Sequence, residues 1–459
     1  MQENNTEIAC IRLGRTHVIP VASPELAREF LRKHDQIFAS RPFCMTAKLT
    51  SDNYLATVLS PTGHQWKKMR KIMSTKILSP TMHRFLHGKR LQEDDHLVRY
   101  AYNQCRESNH GLVNIRAVAQ HYCANVTRRM VFGKRFFGPG MEDGGPGKEE
   151  IEHVEALFTI LKYLYGFSVA DYVPWLEVFD FDGYKKFISN AIHNVRKYQD
   201  PEIMNRVEMW RQGIKKTEED ILDVLINLKD SENNRILSVQ EISAQIIDIM
   251  IAAVDNPANA VEWGIAEIIN QPHILDKAHE ELDQVVGRDR LVQESDLPKL
   301  NYIKSCIKES FRLHPVAPFV PPHVSSDDVT VGGYLIPKGS QIMLSRMGLG
   351  RNPRVWNDPL EYKPERHIVN VIEKEVVLVD NELNVLSFST GRRGCPGVVL
   401  GSTMSTMLLA RLLQSFNFTT PLDGVKVDLS ESDGGLQLAK PLVACAEPRL
   451  EPHIYLGLI

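Results

Sequence analysis

The chain has 459 residues, 43% of them hydrophobic, which is ample for a large core, and its formal net charge of −3 gives no reason to expect a nucleic-acid partner. Seven cysteines (Cys10, Cys44, Cys105, Cys123, Cys306, Cys395 and Cys445) stand singly with no CxxC pair, which argues against a disulfide framework and fits a reducing compartment. No signal peptide or membrane-spanning run is present; Met1–Thr6 is polar, and the chain as written reads as soluble or peripherally attached.

Ile8–Leu13 and His17–Ala22 read as two strands of a hairpin around Gly14. Pro24–His34 has helical periodicity, with Ser23 as its cap. Arg41–Val58 mixes polar and apolar residues irregularly, and reads equally as a surface loop or as a flap over a pocket. The next helix places Trp66, Met69, Arg70 and Met73 on one face. An indole N–H and a guanidinium one turn apart can both reach one carboxylate. The WxxxR spacing by itself fits a core tryptophan beside a solvated arginine as well. Lys67, Lys68 and Lys71 fall on other faces, as a solvated surface or as a docking patch for an acidic electron donor.

Helical patterns continue over Met82–Glu107 and Leu112–Val131. Gly138–Gly147 is loop by composition, and Glu149–Tyr165 and Tyr184–Lys215 are helical again. Ser238–Asn270 is the longest predicted helix. Ser238 and Glu241 form a capping box, Leu237 and Ile242 a hydrophobic staple, and the middle is apolar nearly all round. Within it stand Asp255, Asn256 and Pro257. Proline supplies no N–H, so the carbonyl of Ala253 loses its helical partner and the helix bends. The bend is either a kinked core helix or a place where a ligand and water sit beside small Ala252 and Ala253.

Leu300–Leu313 is a helix ended by Pro315, with Glu309 and Arg312 adjacent at i, i+3. Pro364–His367 brings a second arginine, so Glu309, Arg312 and Arg366 can form a buried triad of structural role. Between them, three prolines stiffen Ala317–His323, and Val329–Val331, Leu335–Ile336 and Gln341–Leu344 read as short strands. Last comes Phe388–Gly397, a Gly-rich loop with Cys395 near its end, followed by an apolar helix over Val398–Phe416. Amides at that helix start point toward the sulfur and favour thiolate. A thiolate so placed can be the proximal ligand of a haem iron, and Arg393 can pair with a propionate.

Phe388, Gly391, Arg393, Cys395 and Gly397 match the FxxGxRxCxG signature of the cytochromes P-450, which this chain resembles from Ile8 onward. WxxxR at Trp66 and Arg70, ExxR at Glu309 and Arg312, and PER at Pro364–Arg366 follow in the family's order. More narrowly, Asp255–Trp263, Pro364–His367, Ser387–Cys395 and Leu438–Leu442 resemble the plant amino-acid N-monooxygenases, which form aldoximes. Most of the superfamily has threonine where this chain has Asn256. The branch usually reads Phe-Asn-Val-Pro-His-Val where this chain has Phe319–Val324 with Val320 and Pro321.

The resemblance implies a mainly α fold with a smaller β-rich part, residues 1–459 forming a single catalytic domain without the family's N-terminal membrane anchor. It implies one haem b, iron held by Cys395, with Trp66, Arg70, His323, Phe388 and Arg393 contacting the cofactor. Ala253, Asp255 and Asn256 are the implied catalytic residues, with Ala252 and Ala253 leaving room for dioxygen. Met45–Leu55, Ala252–Asn256, Phe319–Pro322 and Asp433–Leu436 are expected to shape the pocket. The implied reaction takes an L-amino acid, dioxygen and electrons from an NADPH-cytochrome P-450 reductase, and yields an aldoxime of cyanogenic-glucoside, glucosinolate or defence metabolism. The intact protein is expected on the cytosolic face of the endoplasmic reticulum. Two rival readings are a carbon-hydroxylating plant enzyme of the family and a haem-binding paralogue without turnover.

Overall fold

The computed structural model describes residues 6–108, 110–368, 375–421, 424–432 and 437–458. Nine helices position the site: α1 (His64–Ile72), α2 (His87–Glu107), α3 (Ile115–Phe132), α4 (Lys148–Tyr163), α5 (Tyr184–Arg211), α6 (Val239–Ile269), α7 (Pro272–Val285), α8 (Asn301–Leu313) and α9 (Val398–Ser415). The 31-residue α6 is the axis of the core, and α3, α9, α8, α4 and α5 pack around it. Its apolar middle dictates this, since a helix hydrophobic on every side must be covered on every side. Its start is the predicted capping box: Ser238 Oγ accepts from the Glu241 N–H at 3.2 Å, and Glu241 accepts from the Ser238 N–H at 2.9 Å. Lys68 of α1 pairs with the same carboxylate, tying α1 to α6.

The strands form two sheets and a hairpin. β1 (Ile11–Leu13) and β2 (Thr16–Val21) pair antiparallel across Gly14, as the sequence predicts. β2 then runs parallel to β7 (Gln341–Leu344), from Val18 against Gln341 to Val21 against Leu344, and β4 (His323–Val324) closes that sheet. β3 (Leu112–Asn114), β9 (Val443–Pro448) and β8 (Phe416–Thr419) make the second sheet, while β5 (Val329–Val331) and β6 (Tyr334–Ile336) form the hairpin.

Several boundaries differ from the sequence reading. Leu112–Asn114 is a strand rather than the first turn of α3, because it pairs with Cys445, Ala444 and Val443. Asn114 then caps α3 by accepting from the Ala117 N–H at 3.0 Å. The pattern over Met82–Glu107 breaks at Leu86 into a short helix and α2. Arg41–Val58 contains a buried helical turn, Met45–Thr50, whose polar Thr46 and Thr50 are as buried as Ala47. The amphipathic α7 was not foreseen.

The predicted triad forms under the core. Glu309 accepts from Arg312 Nε and Nη2, both at 2.7 Å, and from Arg366 Nε at 3.0 Å. A fourth member, His367, reaches it at 2.8 Å. Burial pushes the Glu309 carboxyl up, but the bonds from Arg312 and His367 outweigh this and hold it at about 2. Arg312 also donates to the carbonyls of Gly350, Pro359 and Glu361, so one guanidinium ties together two further segments of the chain.

Candidate active site

A cavity with an empty volume of about 1500 Å³, counted out to open solvent, lies between the turn of α6 at Asn256–Pro257, helix α1 and the loop of Cys395. Its floor is the cysteine loop. Gly391 has φ +73°, and a Cβ there would lie 2.5 Å from the Leu31 carbonyl and from Asp35, so only glycine fits. The turn Gly391–Arg393 brings the Cys395 N–H onto the Phe388 carbonyl at 2.8 Å. The sulfur faces the cavity and accepts from the Gly397 N–H at 3.3 Å. Burial nevertheless pushes the thiol up; the Gly397 amide, Arg70 and Arg346 only partly offset it. The expectation that helix amides alone favour thiolate is therefore met in geometry but not in balance. A metal ion held by Cys395 would supply the difference, because coordination deprotonates a thiol outright.

On the next wall, Trp66 and Arg70 line the cavity as expected. Arg70 Nη2 donates to the Gly394 carbonyl at 2.7 Å, tying α1 to the floor. Arg393 lies with its guanidinium 4.3 Å from the Trp66 ring centroid, and donates to Ala39 at 2.6 Å and Ser60 at 2.7 Å. Arg41, which sequence reasoning missed, completes a cluster of cations. Its Nη1 donates to the carbonyls of Pro321 and Pro322, and its buried Nε has no partner. Among the described residues, none of Arg41, Arg70 and Arg393 sits in an ion pair. Burial first, then the charges of Arg41 and Arg70, pull Arg393 down to about 8. Buried cations without a paired carboxylate are costly, so the cluster is complementary to an anionic ligand.

The two carboxylates of a haem b suit these donors, and its flat ring suits the glycine-bounded floor. Trp66, Arg70, Arg393 and Arg41 would hold the propionates, Cys395 the iron, and Phe388, which also lines the cavity, would pack on the ring.

His323 does not join them. It lies behind the wall in β4, 4% exposed, with Nδ1 2.8 Å from the Phe38 carbonyl. That bond requires Nδ1–H. Burial and nearby Arg41 push the imidazole down to about 3.

The roof is α6. Ala252, Ala253 and Asn256 line the cavity, as predicted. Asp255 does not: it faces away, 8% exposed, and accepts from Gln437 at 3.2 Å. Helical geometry explains the split: Ala252, Ala253, Asn256 and Pro257 fall on one face at three- and four-residue spacing, and Asp255 falls off it. Burial raises the Asp255 carboxyl to about 7. An acid in the wall was overlooked: Asp248, whose Oδ2 accepts from the N–H groups of Thr57 and Val58 at 3.1 and 2.8 Å. Its spacing of two turns before Asn256 is the signal that could have found it.

Of the expected pocket segments, Ala252–Asn256 and Val320–Pro321 contribute to the wall. Met45–Leu55 does not; Arg41, Thr57 and Val58 from either end of that stretch do. Asp433–Leu436 lies outside the described residues.

The family model described as Cytochrome P450 matches residues 1–446. The chain is 54% identical over 455 residues to "Valine N-monooxygenase 1" of Manihot esculenta, covering 99% of this chain and 83% of that protein. It is 53% identical to "Isoleucine N-monooxygenase 1" of Lotus japonicus, covering 99% and 85%, and 51% identical to "Tyrosine N-monooxygenase" of Sorghum bicolor, covering 99% and 82%. Among solved structures, a zebrafish cytochrome P450 determined with progesterone superposes with a TM-score of 0.78 at 20% identity over 97% of each chain, which speaks for the fold alone. The chain therefore belongs to the cytochrome P450 family, whose fold binds haem b, and within it to the branch of the plant amino-acid N-monooxygenases.

Proposed function

We propose that this protein N-hydroxylates an L-amino acid and releases the corresponding aldoxime, with residues 1–459 acting as one catalytic unit. The observation that carries the reading is the match at 51–54% identity, over 99% of this chain, to relatives named N-monooxygenases of amino acids. The haem, when bound, activates dioxygen and performs the oxidation. Everything else is the work of the chain. Cys395 holds the metal from the floor, and the arginine cluster with Trp66 orients the ring. The apolar residues Val58, Ile249, Val316 and Val320 exclude water around the substrate side chain. Asn256 stands where protons and substrate must both pass. Asp255, half-titrated near neutral pH and linked to Gln437, is a store of protons one residue behind that point.

Electrons come from an NADPH-cytochrome P-450 reductase. Lys67 and Lys71 are exposed on α1 for an acidic partner, whereas Lys68 is engaged by Glu241. The place proposed for the protein is the endoplasmic-reticulum membrane, facing the cytosol. No helix among the described residues is long and apolar enough to cross a membrane, but Trp175, Val178, Phe179 and Phe181 are 64–85% exposed in one short stretch, which suits a lipid surface.

The test is an assay of each protein amino acid with reductase and NADPH. Oxime from one or a few amino acids is expected, lost entirely in C395S. A carbon-hydroxylated product, or a normal carbon-monoxide spectrum with no product from any amino acid, overturns the proposal.

A further inference from the structure

The turn of α6 at Asn256–Pro257 carries an arrangement that the family assignment does not explain. The Asn256 side chain folds back on its own helix: Nδ2 donates to the Ala252 carbonyl at 2.7 Å. The reverse placement would set two oxygens at that distance, so the amide oxygen must be the atom turned to the cavity. Next to it, Pro257 lies inside the helix and has no N–H, so the Ala253 carbonyl lacks its helical donor. Asn256, Ala253 and Pro257 all line the cavity. The roof above Cys395 thus presents two oxygen acceptors side by side, Asn256 Oδ1 and Ala253 O. Ala252 and Ala253 leave the space in front of them open.

A hydroxyl in this place would offer a proton. Two oxygen acceptors, one of them without the N–H that Pro257 cannot supply, instead invite a ligand with two donors on one atom. Resting on the amino-acid reading above, we propose that the turn of α6 at Asn256–Pro257 is the amine-binding site: the substrate nitrogen, bound as the free amine after its ammonium has given up its third proton to solvent, donates its two N–H groups to Asn256 Oδ1 and Ala253 O. Both hydrogens are then held against the roof, and the lone pair points to the floor. The nitrogen, not Cα or the side chain, is presented for oxidation, and it is kept from moving down to ligate the iron itself. Asn256 is thereby a substrate-touching residue that selects a primary amine. Pro257 acts through Ala253, by stripping its carbonyl of a helical donor.

Two variants and two ligands test this by optical titration of the haem-loaded protein, without turnover. The ligands are the preferred amino acid and the same acid lacking the amine. Wild-type protein is expected to favour the amino acid by about tenfold or more, the effect of one or two hydrogen bonds, and to answer with a low- to high-spin change. Asn256→Ala, a favourable substitution in a helix, is expected to erase most of that preference. It is also expected to turn the amino-acid response into a nitrogen-ligated low-spin spectrum, as the freed amine reaches the iron. Pro257→Ala restores a donor to Ala253 and is expected to weaken amino-acid binding without altering binding of the amine-free acid. Unchanged preference and unchanged spin response in both variants overturn the inference. If the wild-type protein forms N-oxidised product and the variants bind as it does, only this inference fails. If it forms none from any amino acid, the functional reading itself fails.

Discussion

Two of the arginine clusters in this protein, one around Glu309 and one around the cavity, differ in whether a carboxylate closes on them. Around Glu309, the guanidiniums of Arg312 and Arg366 and the ring of His367 close on a carboxylate buried with them. Around the cavity, Arg41, Arg70 and Arg393 converge with no carboxylate paired to any of them among the described residues. The first cluster is complete as folded, so it can serve only to hold the structure. The second is incomplete as folded, and a dianionic ligand completes it. Charge closure, rather than the presence of charge, separates a structural network from a binding site.

The largest effect expected is therefore on the closed cluster. Glu309→Gln leaves Arg312 buried without its counter-charge, which costs roughly 3–5 kcal/mol. Denaturant melts should show that loss in protein with and without haem alike. Were the loss confined to the haem-loaded form, the distinction between the clusters would be wrong.

A smaller, opposite pattern is expected at the open cluster. Arg393→Gln removes a cation that burial and its neighbours already disfavour. The haem-free protein should lose no more than about 1–2 kcal/mol, the range of the hydrogen bonds to Ala39 and Ser60. Haem transfer to an acceptor protein should meanwhile quicken by tenfold or more. Equal loss of stability in the two variants would break the comparison.

The smallest effect is in the pH dependence. Arg393 is held down to about 8 when folded, below its unfolded value, so the unfolded chain binds more protons between those limits. Stability of the haem-free protein should thus rise as pH climbs above 8, by about 1–2 kcal/mol between pH 8 and 9.5. Propionates restore the ordinary arginine and remove the rise. Glu309 behaves inversely: its carboxyl is depressed to about 2, so its contribution is present above the usual glutamate range and is lost as pH falls toward 2. Urea melts at pH 3, 7.5 and 9.5, with and without haem, separate the two.

The cysteine loop, the capping box, the long helix with Pro257 inside it and the Glu309–Arg312–Arg366 triad were all legible beforehand, because each is local or carried by fixed spacing. Arg41 was not. It stands in a stretch with no period, and its meaning comes from Pro321 and Pro322, 280 and 281 residues away. His323 was misread for the converse reason. A loop histidine was expected to reach the ligand, but β4 pairs with β7 and turns its ring to the Phe38 carbonyl.

The chain by itself determined the chemistry. One cysteine among glycines, one asparagine before one proline, and arginines at set intervals specify a metal ligand, a helix position without its N–H, and anion donors, through covalent structure and helical periodicity. Which of those groups face the cavity was decided only by packing. Asp255 and Asn256 are neighbours in sequence, yet one is turned to Gln437 and the other to the roof. The direction of a side chain on a buried helix is set by what surrounds the helix, and that is assembled from segments distant in the chain.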